Sequence, residues 1–296
     1  MAVLSIATSL VTLALKFGAY FLTGSVSLLS DALEAFVNLA AGMIAFGALT
    51  IAARPADAEH SYGHDKAEYF ASGVEGVLIL LAAGSIVYAA VPRLFAPQPL
   101  EHLGIGLGIA VIAAGANYAT ARLMLTVARR HDSITIEADA RHLMTDVWTT
   151  AAVVAGLLIV WFMPAWHILD PLLAVVVAVR IVATGIDLLR RSTNGLMDAA
   201  LPADEIERIE RIIDAHIPPQ ARYQAMRTRK SGSRRFIEFS LLVPGATPVR
   251  DAHGLCDRLE DAIQAELPRA SVLIHVEPAE CRAAPVAQPD ASPRLG

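Results

Sequence analysis

Six apolar runs, each long enough to cross a bilayer at roughly 20 residues, set the terms for any fold of this chain. They cover approximately residues 3–23, 27–52, 70–92, 102–125, 142–163 and 168–189. Hydrocarbon offers no water to a backbone N–H or C=O, so a spanning chain must satisfy both inside a helix or a closed barrel. Runs of this length predict six transmembrane helices. The second run has a polar face, but its length and its lack of Lys and Arg favour a span over a buried soluble helix. Charge is distributed accordingly: residues 1–200 hold 26 Asp, Glu, Lys and Arg residues, and the last 96 hold 27.

Beyond Leu201-Pro202 the pattern changes. Residues 203–217 read as an amphipathic helix with an acidic first turn. Residues 223–229 and 234–243 alternate as strands, 248–267 form a second helix and 271–277 a third strand. The order α-β-β-α-β predicts a small α+β sandwich of the ferredoxin-like kind. The expected fold is thus a membrane all-α six-helix domain (1–195) followed by a cytoplasmic α+β ferredoxin-like domain (196–282). The Pro/Ala-rich tail, 283–296, is expected to be disordered.

Orientation follows from the short loops. One side carries Arg54, Lys66, Arg129, Arg130, Arg141, Arg190 and Arg191, and the other only Arg93. Both termini are expected in the cytoplasm, as in a multi-pass protein of the cell membrane with lipid as its surroundings. Arg122 and Arg180 lie within spans and are expected to snorkel or pair. The net charge of −5 gives no reason to expect a nucleic-acid partner. Two cysteines in 296 residues make neither a disulfide framework nor a thiolate zinc cluster.

Ionisable residues at membrane depth are costly and mark pathways or ligand sites. The second span carries Asp31, Glu34 and Asn38 at i, i+3 and i+7, and the fifth repeats that spacing with Asp139, His142 and Asp146. Each set lies on one helix face. Glu34, Asn38, His142 and Asp146 would make a four-ligand N/O set suited to zinc, with iron(II), cobalt and manganese behind it. A polar helix–helix contact without metal is the alternative. Asp139 would mark the cytoplasmic approach and Asp31 the external exit; Asp139 also fits a first-turn acid at a helix dipole. In the loop after the second span, Asp57, His60 and His64 have ligand-like spacing, as a solvated polar loop also would.

Several stretches together resemble the cation diffusion facilitator family of metal/proton antiporters. They are Thr23-Gly24-Ser25-Val26-Ser27-Leu28-Leu29-Ser30-Asp31, His60-Ser61-Tyr62-Gly63-His64-Asp65-Lys66-Ala67-Glu68, Ala138-Asp139-Ala140-Arg141-His142 with Asp146, Arg227-Thr228-Arg229-Lys230-Ser231-Gly232, and Ile274-His275-Val276-Glu277-Pro278. The similarity covers about residues 3–280. It implies a homodimer that exports a divalent cation from the cytoplasm in exchange for protons. It implies a transport site between spans two and five, a second metal site in the His loop, and a third in the soluble domain at His253, His275 and Glu277. Two positions depart from the family pattern: Asn38 stands where Asp is usual, and Ser240 where His is usual. A pair between Lys66 and Asp198 would tie the membrane and soluble halves together.

Metal needs a neutral His142 with ionised Glu34 and Asp146, so protons compete for the same groups. The substrate is expected to be a divalent cation, zinc first, with protons as counter-ion, and the chain a secondary transporter rather than an enzyme. It contains no HExxH pair. The competing reading is a membrane-anchored metal sensor or scaffold that binds without flux.

Overall fold

The computed structural model of the chain describes residues 2–131 and 134–280, excepting the side chains of 2–3, 128–131, 134–139 and 164. The side chain of Asp139 and the tail 283–296 therefore lie outside the described residues. Two compact units divide the chain: 1–50 with 70–192, and 51–69 with 193–296.

The first unit consists of six long helices, α1 (Ala2–Thr23), α2 (Val26–Ala52), α3 (Ala67–Phe95), α4 (Leu103–His131), α5 (Ile134–Phe162) and α6 (Leu169–Leu196). A single 3-10 turn, Pro164–Trp166, precedes α6. All six helices are long and apolar enough to span a bilayer. One apolar cluster joins Ala19 of α1, Leu28 of α2, Leu107 and Ala110 of α4, and Val153 and Leu157 of α5. Another joins Val26 and Val37 of α2, Ala83 and Ile86 of α3, and Ala174 and Ala178 of α6. Small residues let the backbones approach closely, as helix packing in lipid requires. A Cβ on Gly76 of α3 would fall 2.9 Å from Leu189 Cγ and 3.1 Å from the Gly185 carbonyl oxygen, both on α6.

Between α1 and α2 the chain turns at Gly24, whose φ of +64° suits a residue without Cβ. Asp170, in the first turn of α6, then covers the start of α2. Its carboxylate accepts the backbone N–H groups of Val26 (2.9 Å) and Ser27 (3.1 Å) and the hydroxyls of Ser25 and Ser27. An acid here satisfies free N–H groups and complements the helix dipole.

In the second unit, α7 (Ala203–His216), β1 (Arg222–Ser231), β2 (Arg234–Val243), α8 (Val249–Glu266) and β3 (Ala270–Pro278) follow the expected order. The sheet order is β1-β2-β3, antiparallel then parallel. Ile237, Phe239, Leu241 and Val243 alternate along β2 to one face, where they join Ile209 and Ile213 of α7 and Leu255, Leu259 and Ile263 of α8 in one core. Phe236, pointing the other way, meets Tyr62 edge-on and the Arg229 guanidinium at 4.1 Å. The loop 51–69 thus packs with the α/β domain.

Glu205 in the first turn of α7 binds Arg235 of β2 through two hydrogen bonds of 2.7 and 3.0 Å. The Arg235 guanidinium holds the Glu205 carboxyl below its ordinary value of 4.5. The stability from this pair is therefore complete above about pH 4.5 and lost as the pH falls through the lowered value. Hydrogen exchange of α7 and β2 should accelerate on acidification below that point in the wild type, with a shallower acid dependence in Glu205→Gln. Leu259 is fully buried, so Leu259→Ala should destabilise this domain by about 2–5 kcal/mol in chemical denaturation.

Candidate metal centre

The facing positions of α2 and α5 meet at one cavity of about 550 Å³. Its lining includes Glu34 and Asn38 of α2, His142 and Asp146 of α5, and Arg180 and Thr184 of α6. All four residues of the expected transport site are therefore brought to the same space. Asp146 is buried, Glu34 and Asn38 are half-buried, and His142 is exposed. Asn38 Nδ2 donates to Asp146 Oδ1 at 3.4 Å, which links the two helices directly. Glu34, His142 and Asp146 share the cavity without drawing their ligand atoms into one tight cluster.

Arg180 was not expected here. As a residue within a span it could have snorkelled or paired elsewhere, yet it lines the cavity. Asp146, Asp31, Lys16 and Arg180 are among the charged groups within electrostatic reach of Glu34. Asp31 is not among the lining residues of the cavity. It is buried at 2% exposure, ion-paired with Lys16 Nζ at 2.9 Å and accepting from Thr150 Oγ1 at 3.0 and 3.1 Å. Lys16 of the first span thus finds a carboxylate partner within the membrane domain.

Among the described residues, Asp57, His60 and His64 are the group of three whose ligand atoms all lie within 4.8 Å of one another. The loop folds around Asp57, which accepts the backbone N–H of His60 (2.7 Å) and of Glu59 (3.0 Å). Those bonds, the one from His60 foremost, hold the Asp57 carboxyl below its usual range. His60 Nδ1 lies 3.3 Å and His64 Nε2 3.4 Å from the same carboxylate. His64 Nδ1 is buried without a hydrogen-bond partner.

In the α/β domain the three expected residues are divided. His253 and Glu277 line a cavity of about 530 Å³ together with Cys256 and Glu260, and His275 is not in that lining. Glu277 accepts from Ser240 Oγ at 2.8 Å, and His275 Nε2 lies 3.7 Å from it. Burial raises the Cys256 thiol above its ordinary range. Lys66 and Asp198 pair at 2.9 Å, with Arg229 adding a second cation at 3.3 Å. The hydrogen bond from Lys66 lowers the Asp198 carboxyl.

A family model described as the cation efflux transmembrane domain matches residues 2–197, and one described as the cation efflux protein cytoplasmic domain matches residues 201–279. The chain belongs to the cation diffusion facilitator family. The uncharacterized transporter sll1263 of a Synechocystis strain is 44% identical over 279 residues, covering 94% of this chain and 90% of that protein. The cation-efflux pump FieF of Klebsiella pneumoniae is 31% identical over 266 residues, covering 90% and 88%. A solved structure, the metal-bound C-terminal domain of the CzcD transporter from Thermotoga maritima, is 27% identical over 27% of this chain and 93% of that one, with a TM-score of 0.25. The chain is thus a membrane protein of a divalent cation efflux family.

Proposed function

We propose that this protein exports divalent cations from the cytoplasm, zinc first, by exchanging them for protons at Glu34, Asn38, His142 and Asp146. The observation that carries this reading is the convergence of those four side chains on one cavity between α2 and α5. An imidazole, two carboxylates and an amide oxygen form a borderline ligand set that suits zinc and accommodates iron(II), manganese and cobalt. Metal requires the imidazole neutral and the carboxylates ionised, so binding displaces protons and protonation expels metal. Asn38 takes no part in that exchange because an amide does not titrate. Its present partner, Asp146, would give up the Asn38 hydrogen bond when the carboxylate and the amide oxygen turn to the metal.

The basic loops support cytoplasmic termini. The family likeness of residues 201–279 supports a homodimer. Asp57, His60 and His64 form the proposed second metal site, and the unpartnered His64 Nδ1 supports it. His253, His275 and Glu277 remain a proposed third site that would need His275 to turn toward the cavity of the other two. The Lys66–Asp198 pair is the proposed interlock. Asp139 is the proposed flanking group of the pathway on the cytoplasmic side; Asp31, held by Lys16 and Thr150, is not open to a passing cation.

Zinc uptake by proteoliposomes under an imposed proton gradient tests the transport reading. Removing a group that merely orients a ligand costs roughly 10–100-fold, so His142→Ala or Asp146→Ala should slow uptake at least tenfold. Wild-type rates in both variants would refute the site, and tight binding without gradient-driven flux would favour a sensor. For the loop, titration with a chromophoric chelator should show one zinc equivalent fewer per chain in His60→Ala/His64→Ala, with gradient-driven uptake still measurable. An unchanged stoichiometry would remove the loop site.

A further inference from the structure

We propose that Lys16 is a specificity-determining residue of this transporter: its ammonium occupies Asp31 and keeps a third carboxylate from the incoming metal. The inference rests on the transport site proposed above. Asp31 precedes Glu34 by three residues on α2, and Thr150 follows Asp146 by four on α5. Such neighbours on a helix stand roughly 5–6 Å apart at Cβ. The layer of Asp31 and Thr150 therefore lies against the layer that holds the metal ligands. Lys16 reaches Asp31 from α1 at 2.9 Å, and Thr150 reaches it from α5 at 3.0 Å, so three helices meet on this one carboxylate. Lys16 and Asp31 are both buried to 2% exposure.

Charge and ligand chemistry then decide what the pair does. Three acids, Asp31, Glu34 and Asp146, lie within electrostatic reach of one another. Three adjacent carboxylates make a hard, oxygen-rich site of the kind that suits manganese and calcium. With Lys16 on Asp31, an arriving cation meets two carboxylates, one amide and one imidazole. A buried pair that loses one partner leaves an uncompensated charge, which is strongly unfavourable. Without Lys16, Asp31 would relieve that cost by attracting the cation in the cavity next to it, and the preference for a borderline metal would weaken.

Metal affinity of the full-length protein in detergent tests this, with zinc and manganese each titrated against a chromophoric chelator. Lys16→Met should tighten manganese binding by at least about tenfold, with zinc changing less. Adding Asp31→Asn to Lys16→Met should return the manganese-to-zinc ratio to within about threefold of wild type. Lys16→Gln, which keeps a hydrogen bond to Asp31, carries the same test if Lys16→Met does not fold. A pair that serves packing alone would lower the unfolding temperature without moving the metal ratio. An unchanged ratio in both single variants, or a shift that persists in Lys16→Met/Asp31→Asn, overturns the proposal. His142→Ala separates the two readings. One zinc equivalent fewer per chain there with an unchanged ratio in Lys16→Met refutes the role of Lys16 alone, whereas an unchanged zinc stoichiometry in His142→Ala refutes the site itself.

Discussion

At membrane depth an ionisable side chain must find its partner within the protein, because hydrocarbon solvates neither a charge nor an unpaired polar group. The arrangement of α1, α2, α5 and α6 follows that constraint closely. Asp170 closes onto the backbone at the start of α2. Asp31 is closed by Lys16 and Thr150. Asp146 accepts from Asn38 and, among the described residues, faces the cavity with Glu34, His142 and Arg180. Acids with a full set of fixed partners hold the helices together, and those left facing the cavity are available to a cation. The proposed transport site is thus built from residues whose polar capacity the protein does not itself exhaust.

The spans and the α-β-β-α-β order were legible in the sequence because burial imposes its own period: long apolar runs in lipid, alternation in a half-buried strand, one apolar stripe on an amphipathic helix. Glu34, Asn38, His142 and Asp146 were legible for the same reason, since i, i+3, i+4 and i+7 spacings choose a helix face without reference to any partner. Relationships between distant segments were not. Asp170 caps a helix that begins 144 residues earlier, and no local pattern announces that. Arg180 reads as one more basic residue in a span until packing shows that it lines the cavity. The His loop looks like a connection between two spans, yet Tyr62 and Asp65 engage Phe236 and Arg234 of the α/β domain. The resemblance groups His253, His275 and Glu277, whereas the cavity takes His253 and Glu277 and leaves His275 outside its lining.

The departure at Asn38 acquires a physical meaning in this setting. An aspartate beside Asp146 would add repulsion that only metal or protons could relieve. An amide instead donates to the carboxylate, and on the proposed reading would turn its oxygen to an arriving cation. Lys16 and Arg180 are fixed positive charges near the same acids, so the cavity is less negative than its carboxylates alone suggest.

The central claim is that one divalent cation binds between α2 and α5, and anomalous diffraction from crystals of the zinc-loaded protein tests it most directly. The account predicts a zinc peak within coordination distance, about 2.0–2.2 Å, of His142 nitrogen and of Glu34 and Asp146 oxygens. Peaks confined to the His loop or the α/β domain, with none between those two helices at saturating zinc, would contradict it.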